Sequence, residues 1–509
     1  MYFFVTNKFY LQTSAIELAE IKRQQIFADL GRDSRIVEIE DSFVHPLVEE
    51  RVGADRHIIN MYSYFQGITS ISIEEEKQVI SQIFTNKTYH KYQVEETDKV
   101  NKYNLVCYQA EDNSIKLYLA NGRIYYVDYF DHYGFFDKRD FYKEGKRSSS
   151  EFYGDDGRIL VRQYYDDYEV PILTFYYRGA DNNQSALTMI QLKFRGETNS
   201  FNDENQLIKY FLEKLVNDNK VNGEQTTFLI DRSVPQLSVL EEWTLQSAKF
   251  YFVFHSLFKD KDTIRAAYKP IPALIEKGII NGLIASTNHE CEDLAKSFRL
   301  NLNQVNSIPV TYTSPVARAR FESRDPNKIL LVSRISEEKN IMDAIKAVVK
   351  IHKLHPKAYL NIWGYNNDDE MLELATNFIR DNNAEGYIHF CGFSNTLVHE
   401  YDTAAIQLLT SKYEAFAMAL LEGQEHGVPG ISYDVTYGPR NIIQDGKSGY
   451  LVRPGAIADL TNKLDYLLSN DQLRESFSNA AYDNAKRYSR DEISSLWQDF
   501  IKNNEEITN

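Results

Sequence analysis

From Lys328 onward the chain repeats one unit, a short, mostly apolar run followed by a stretch of helical period. The runs are KILLVSR (328–334), AYLNIWG (358–364), YIHFCGF (387–393), AAIQLLTS (404–411) and GISYDV (430–435), and the clearest helical stretches are IMDAIKAVVKIHKLH (341–355) and DEMLELATNFIRD (369–381). A strand that is mostly apolar, rather than apolar only at alternate positions, has both faces covered, as in a parallel sheet wrapped by crossover helices. With the helical tail, these β-α repeats predict a doubly wound domain over 316–509, and such sheets bind ligands beyond the carboxyl ends of their strands.

The start of the chain carries the same rhythm: an apolar run from Tyr2 to Val5, a helical stretch IELAEIKRQQIFADLG closed by Gly31, then SRIVEIE. It resumes at TTFLID (226–231), AKFYFVFH (248–255) and IINGLIAST (279–287), where Asn288 can cap the helix NHECEDLAKSF. Residues 1–70 and 222–315 therefore read as an N-terminal Rossmann-like domain, and Pro309 with the polar stretch after it marks the boundary. Between them, 71–221 is a distinct β-rich insertion. Aromatic pairs recur there at Tyr129-Phe130, Phe141-Tyr142, Phe152-Tyr153 and Tyr164-Tyr165, separated by turn signals at Asn121-Gly122, Gly134, Gly145 and Asp156-Gly157. The spacing of 11 to 12 residues fits an antiparallel meander. Its aromatics read as sheet packing first and as a sugar-stacking surface second. The expected architecture is α/β, two doubly wound domains facing a cleft, with the insertion in the first.

A net charge of −16 argues against a sequence-independent grip on nucleic acid or anionic lipid. Three widely spaced cysteines form neither a disulfide framework nor a zinc motif, which reads as cytoplasmic. No export signal or membrane span is expected, and at most a peripheral membrane association.

The chemistry concentrates at strand ends. Ser333 and Arg334 close KILLVSR, and Lys339 follows in SRISEEKN. Two cations there can hold a diphosphate, Arg334 as a bidentate fork and Lys339 as a point charge; they also read as a surface pair with Glu337 and Glu338. After AAIQLLTS comes SKYEAFAMALLEGQEHGVP (411–429). A helix from about Phe416 would aim its free N–H groups at a diphosphate, with Ala415, Phe416, Ala417 and Met418 at its mouth. Glu414 and Glu422, eight residues apart, would share one helix face, one for sugar hydroxyls and the other for a ribose. Taken alone, such a pair also reads as solvated helix glutamates.

Weaker signals surround these. Gly364 and Gly392 stand at strand exits, where a backbone can approach a nucleotide. The segment 432–452 reads as a loop closing over the site or as a plain turn. His255 either faces the cleft or packs at its strand end. The N–H groups at Thr13-Ser14-Ala15 could meet a phosphate. No Ser-His-Asp order, HExxH motif, P-loop or metal-type Asp pair occurs.

Together, SRxxxEK (Ser333 to Lys339), E-x7-E (Glu414 to Glu422), HGVP (426–429) and YDVTYGPRNIIQDGKSGYLV resemble the retaining GT-B glycosyltransferases that use nucleotide sugars. The insertion and TSAIELAEIKRQQIF are similar to a narrower bacterial branch. It comprises poly(glycerol-phosphate) alpha-glucosyltransferases, poly(ribitol-phosphate) N-acetylglucosaminyltransferases and transferases of Ser-rich or Ser-Asp-repeat surface proteins. The resemblance implies transfer of glucose or N-acetylglucosamine from a UDP-sugar with retention, without metal or other cofactor. By the same resemblance Arg334 and Lys339 stabilise the departing diphosphate, Glu414 holds the donor sugar, Glu422 the ribose, and His255 lies near the sugar. Ser14, Ala15, Ser333 and Gly364 complete the donor set. Ala15 stands where a glycine is usual, and Ala415 and Ala417 replace small flexible residues.

Lys138, Arg139, Lys143, Lys146 and Arg147 gather in the insertion as a possible contact for a polyphosphate acceptor, or as a solvated hairpin. An acceptor held by these cations predicts activity that falls with salt, whereas a Ser-rich protein acceptor predicts little change. The alternative to an enzyme is a non-catalytic partner that holds the acceptor beside an active homologue. A sugar-nucleotide epimerase fits the glutamate pair poorly. The insertion also offers a sheet edge for homo-oligomers.

Overall fold

The computed structural model describes residues 1–10, 14–41, 57–68, 73–92, 105–120, 122–143, 145–179, 184–221, 225–245, 247–260, 263–394 and 396–506. The domain boundaries expected near 70 and 222, together with Thr13 and Asn121, lie outside them.

The N-terminal sheet has seven strands in the spatial order Val305–Ser307, Ile280–Ala285, Ala248–Val253, Thr226–Ile230, Tyr2–Thr6, Ser34–Glu38, Ile58–Asn60. Tyr2–Thr6 pairs in parallel with both neighbours, Tyr2 standing opposite Thr227 and Ser34. All five of its residues are buried, as its unbroken apolar run requires. The helix Ala15–Asp29 follows it, and Gly31 ends the turn with φ +65°.

Residues 89–201 form the expected meander, ten antiparallel strands whose spatial order is their chain order. Gly122, Gly134, Gly145 and Gly157 all take the positive φ that tight hairpins need. Each aromatic pair falls at or beside the end of its strand, and Tyr142, Tyr164 and Tyr165 are buried while their companions are half-buried. These rings pack the sheet; Tyr164 lies 4.8 Å from the ring of Tyr62 on the helix Met61–Gln66.

The C-terminal sheet has six parallel strands in the order Ile388–Gly392, Tyr359–Trp363, Lys328–Val332, Ile406–Leu409, Gly430–Tyr433, Gly449–Val452. In chain order this is 3-2-1-4-5-6, so the winding reverses between Lys328–Val332 and Ile406–Leu409. Leu331 lies opposite Ile362 on one side and Leu408 on the other, and all three are buried. The segment 432–452, read above as one closing loop, instead holds the end of a strand, a short helix Pro439–Ile442 and the sixth strand. Gly449 permits that strand, because a Cβ there would stand 2.1 Å from the Gly430 carbonyl oxygen.

The chain forms two compact units. Met1–Gln24, Arg32–Tyr251 and Pro270–Ile280 make the first; Gln25–Gly31, Phe252–Lys269 and Asn281–Asn509 make the second. Residues 252–269 and 281–315, assigned from sequence to the first domain, cluster with the second unit. Among the described residues no helix is long and apolar enough to cross a membrane.

The helix expected to be capped by Asn288 is capped one residue earlier. The Thr287 hydroxyl accepts the Glu290 N–H at 3.1 Å, and Asn288 is the first helical residue. Glu290 itself is wholly buried. Burial pushes its carboxyl up to about 8, against the pull of the Ser286 backbone and with added repulsion from Asp293. Between the ordinary value of 4.5 and about 8, the folded protein keeps a proton that the unfolded chain releases. Stability therefore falls as pH rises through that window. Glu290→Gln is expected to unfold at a higher temperature than the wild type at pH 8 to 9, and the advantage should vanish toward pH 5, as followed by circular dichroism.

Candidate active site

Two loops meet where the C-terminal sheet reverses its winding. The first leaves Lys328–Val332, passes Ser333 and Arg334 and makes a 3-10 turn at Glu337–Lys339. The second leaves Ile406–Leu409 and carries Ser411 to Ala417. Lys339 Nζ stands 2.7 Å from Glu414 Oε1, and the Ser411 hydroxyl donates to the same oxygen at 2.6 Å. Three more contacts close the junction: Thr410 Oγ1 to the Asn340 carbonyl at 3.0 Å, the Lys412 N–H to the Glu338 carbonyl at 2.8 Å, and Lys412 Nζ to Glu337 at 2.6 Å. The structure thus brings Lys339 and Glu414 into direct contact, not across a gap from one another.

Arg334 is the more open cation. It reaches Glu338 at 3.1 Å while its side chain stays 43% exposed. Burial raises the Glu338 carboxyl, but hydrogen bonds from its backbone and Ser336, with the Arg334 and Lys339 charges, outweigh it and hold the group below its usual range. The pairing of Arg334 with a neighbouring glutamate was foreseen; Lys339 takes Glu414 instead.

Glu414 is not helical. The helix spans Met418–Glu425, so the expectation that Glu414 and Glu422 share one helix face does not hold. Ala417 takes φ +66°, a left-handed conformation that interrupts the chain just before the helix and that glycine would adopt without strain. Ala415, Phe416 and Ala417 are buried. Gly438 lies so close to Phe416 that a Cβ would stand 2.7 Å from its carbonyl, which fixes the loop from behind. Glu422, on the helix, accepts from the Tyr401 hydroxyl at 2.9 Å. Tyr401 stacks on His426, which bonds Asp402 at 2.8 Å.

The close approach at Gly364 is to the protein's own backbone. With φ +151°, a Cβ there would fall 1.9 Å from the Ser333 carbonyl oxygen. Gly364 therefore lets the exits of two strands pack together and sets where Ser333 and Arg334 begin.

Ser14 and Ala15 belong to the first unit. The Ser14 N–H is already given to Glu17 Oε2 at 2.7 Å, and Glu17 pairs with Arg232, so that helix start carries its own anion. His255 is half-buried just past Ala248–Val253. Each of the five expected insertion cations meets a carboxylate: Lys138 with Asp140 at 2.9 Å, Arg139 with Asp128 at 2.6 Å, Lys143 with Asp41, Lys146 with Asp167 at 2.8 Å and Arg147 with Glu169 at 2.6 Å. Arg139 also joins a row across four adjacent strands, Asp128, Arg139, Glu151 and Arg162 standing directly opposite one another. This pairing balances the charge of those five side chains locally. Among the described residues, no three His, Cys, Asp or Glu side chains gather in a way that could hold a metal ion.

Sequence reasoning missed Ser411, although its i,i+3 spacing to Glu414 was visible. It also missed Lys412, whose partners come from the first loop.

Residues 315–484 match the family model described as glycosyl transferases group 1, the region that holds both loops. The chain has the GT-B fold. It is 24% identical over 392 residues to the poly(glycerol-phosphate) alpha-glucosyltransferase of Bacillus subtilis strain 168, covering 75% of this chain and 56% of that relative. It is 24% identical to the UDP-N-acetylglucosamine–peptide N-acetylglucosaminyltransferase GtfA subunit of Streptococcus gordonii, covering 96% of both chains. The crystal structure of the pneumococcal O-GlcNAc transferase GtfA, in complex with UDP and GlcNAc, superposes with a TM-score of 0.80 at 20% identity, over 99% of this chain and 98% of that one. These relatives are of the kinds anticipated from the motifs, and the two-Rossmann fold with its meander is shared along the chain.

Gly364→Ala tests the junction's packing. A methyl group has no room there, so the variant should lose roughly 1–3 kcal/mol or more of stability, read as a lower midpoint in thermal unfolding, whereas Gly392→Ala, facing open space at φ +77°, should lose less.

Proposed function

We propose that this chain transfers glucose or N-acetylglucosamine from a UDP-sugar to a bacterial cell-surface acceptor, either a wall teichoic acid polymer or a Ser-rich or Ser-Asp-repeat protein, with retention and without a metal ion. The observation that carries this reading is the Lys339–Glu414 contact at the winding reversal of the C-terminal sheet, with Arg334 open beside it. In such a site the glycosyl bond to the β-phosphate breaks and its electrons pass to a phosphate oxygen. Arg334 and Lys339 receive that charge, the electrostatic task that usually dominates catalysis of this kind. The acceptor hydroxyl attacks the anomeric carbon on the face being vacated, and its proton passes to the leaving phosphate. Glu414 holds sugar hydroxyls and keeps Lys339 aimed. Glu422, already a hydrogen-bond acceptor for Tyr401, suits a ribose. His255 is assigned to the donor sugar by family likeness alone.

The relatives support both acceptor classes by their names, a glycerol-phosphate polymer in one case and a peptide in the other. Ion pairing throughout the insertion's cations favours the protein acceptor over a polyphosphate held by those five residues. The likeness to a GtfA subunit also supports a partner subunit. A non-catalytic partner role is the second reading, favoured by the occupied Ser14 N–H and by Ala15 beside it.

Incubating the protein with each UDP-sugar and either teichoic acid or a Ser-rich peptide, and weighing the products by mass spectrometry, separates these outcomes. A sugar added to one acceptor identifies donor and acceptor together; no turnover and no UDP binding would favour the partner role. In an active enzyme, Lys339→Met and Arg334→Met should each lower kcat by roughly 10²–10³-fold. Glu422→Gln should act mainly on donor KM.

A further inference from the structure

The Glu414 loop is tied to its own sheet through Ser411, Lys412 and Glu414, but Tyr413 takes part in none of those contacts. Its ring lies beneath the guanidinium of Arg265, Cζ standing 5.1 Å from the ring centre. Arg265 is aimed by Asp260, which accepts from Nε at 3.1 Å and from Nη2 at 2.8 Å. Asp260 belongs to a small antiparallel pair, Lys259–Asp260 with Thr263–Ile264. The same pair supplies a second contact. Lys259 Nζ reaches Asp293 Oδ2 at 2.9 Å, and the fully buried Tyr437 donates its hydroxyl to that same oxygen at 2.5 Å. Burial opposes ionisation of Asp293, but those two hydrogen bonds outweigh it and hold the carboxylate below its usual range. Tyr437 precedes Gly438, whose backbone presses on Phe416. One short strand pair in the second unit therefore braces the loop twice, at Tyr413 before Ala415 and, through Asp293 and Tyr437, at Phe416 after it.

We propose that Arg265 and Asp293 are positioning residues for the donor-binding loop 411–417, acting on Glu414 through Tyr413 and through Tyr437. The inference rests on the donor-site reading above, since it assigns the brace to the same loop. A cation over a tyrosine ring contributes about 0.5–2 kcal/mol, so losing it should weaken donor binding by about 2- to 30-fold. No charge on the reacting atoms changes.

The test uses the full-length chain. In Arg265→Ala and Asp293→Ala, donor KM with UDP-glucose or UDP-N-acetylglucosamine should rise within that range while kcat stays within about twofold, and Arg265→Lys should recover part of the loss. In a Tyr413→Leu background, Arg265→Ala should have little further effect, because its partner is already gone. Amide hydrogen exchange of the ligand-free protein reads the brace without any donor: residues 411–417 should exchange faster in Arg265→Ala and Tyr413→Leu, with the strand Lys328–Val332 unchanged. Unaltered exchange at 411–417, or a loss of kcat at constant KM, overturns the proposal. A wild type that binds no UDP-sugar overturns the transfer reading instead, while exchange still decides the brace.

Discussion

One contact, the ammonium of Lys339 against the carboxylate of Glu414, closes the seam on which the site depends. Parallel strands carry their connections at opposite ends, so a 3-2-1-4-5-6 order leaves a crevice where the chain turns to wind the other way. Here the loops beside that crevice are joined by side chains from both. Breaking the pair would leave a charge on each loop partly desolvated, which costs more than forming the pair contributes. The alignment of Arg334, Lys339 and Glu414 is therefore a property of the sheet's topology as much as of the residues.

The C-terminal fold was legible because its strands are mostly apolar rather than alternating. Runs such as KILLVSR and AAIQLLTS admit few other placements, and the helix predicted over 369–381 forms over those residues. The meander was legible from its glycines and its repeating aromatic pairs. What failed was local. The helix after Glu414 begins two residues later than its periodicity suggested, because Ala417 holds a left-handed backbone that composition does not reveal. The Thr287 hydroxyl took the cap expected of Asn288, a one-residue choice between two good capping groups.

Partner choice was the least legible property. Arg139 looked like part of a free basic patch, since its carboxylate partner Asp128 comes from the preceding strand and is brought opposite only by the hairpin. Arg265 carried no sequence signal as a neighbour of Tyr413, nearly 150 residues away in the chain. Gly364 was read as a site of close approach to a nucleotide, and the Ser333 carbonyl packs against it from within the protein.

The row of Asp128, Arg139, Glu151 and Arg162 has a consequence for how the meander assembles. A long antiparallel sheet of aromatic strands offers many nearly equivalent alignments, and rings tolerate sliding better than charges do. Sliding one strand by a single residue would turn its charged rung to the opposite face, and sliding by two would strand a guanidinium or carboxylate without its counter-charge. The row thus acts as a ratchet that admits one alignment of four central strands and penalises the rest.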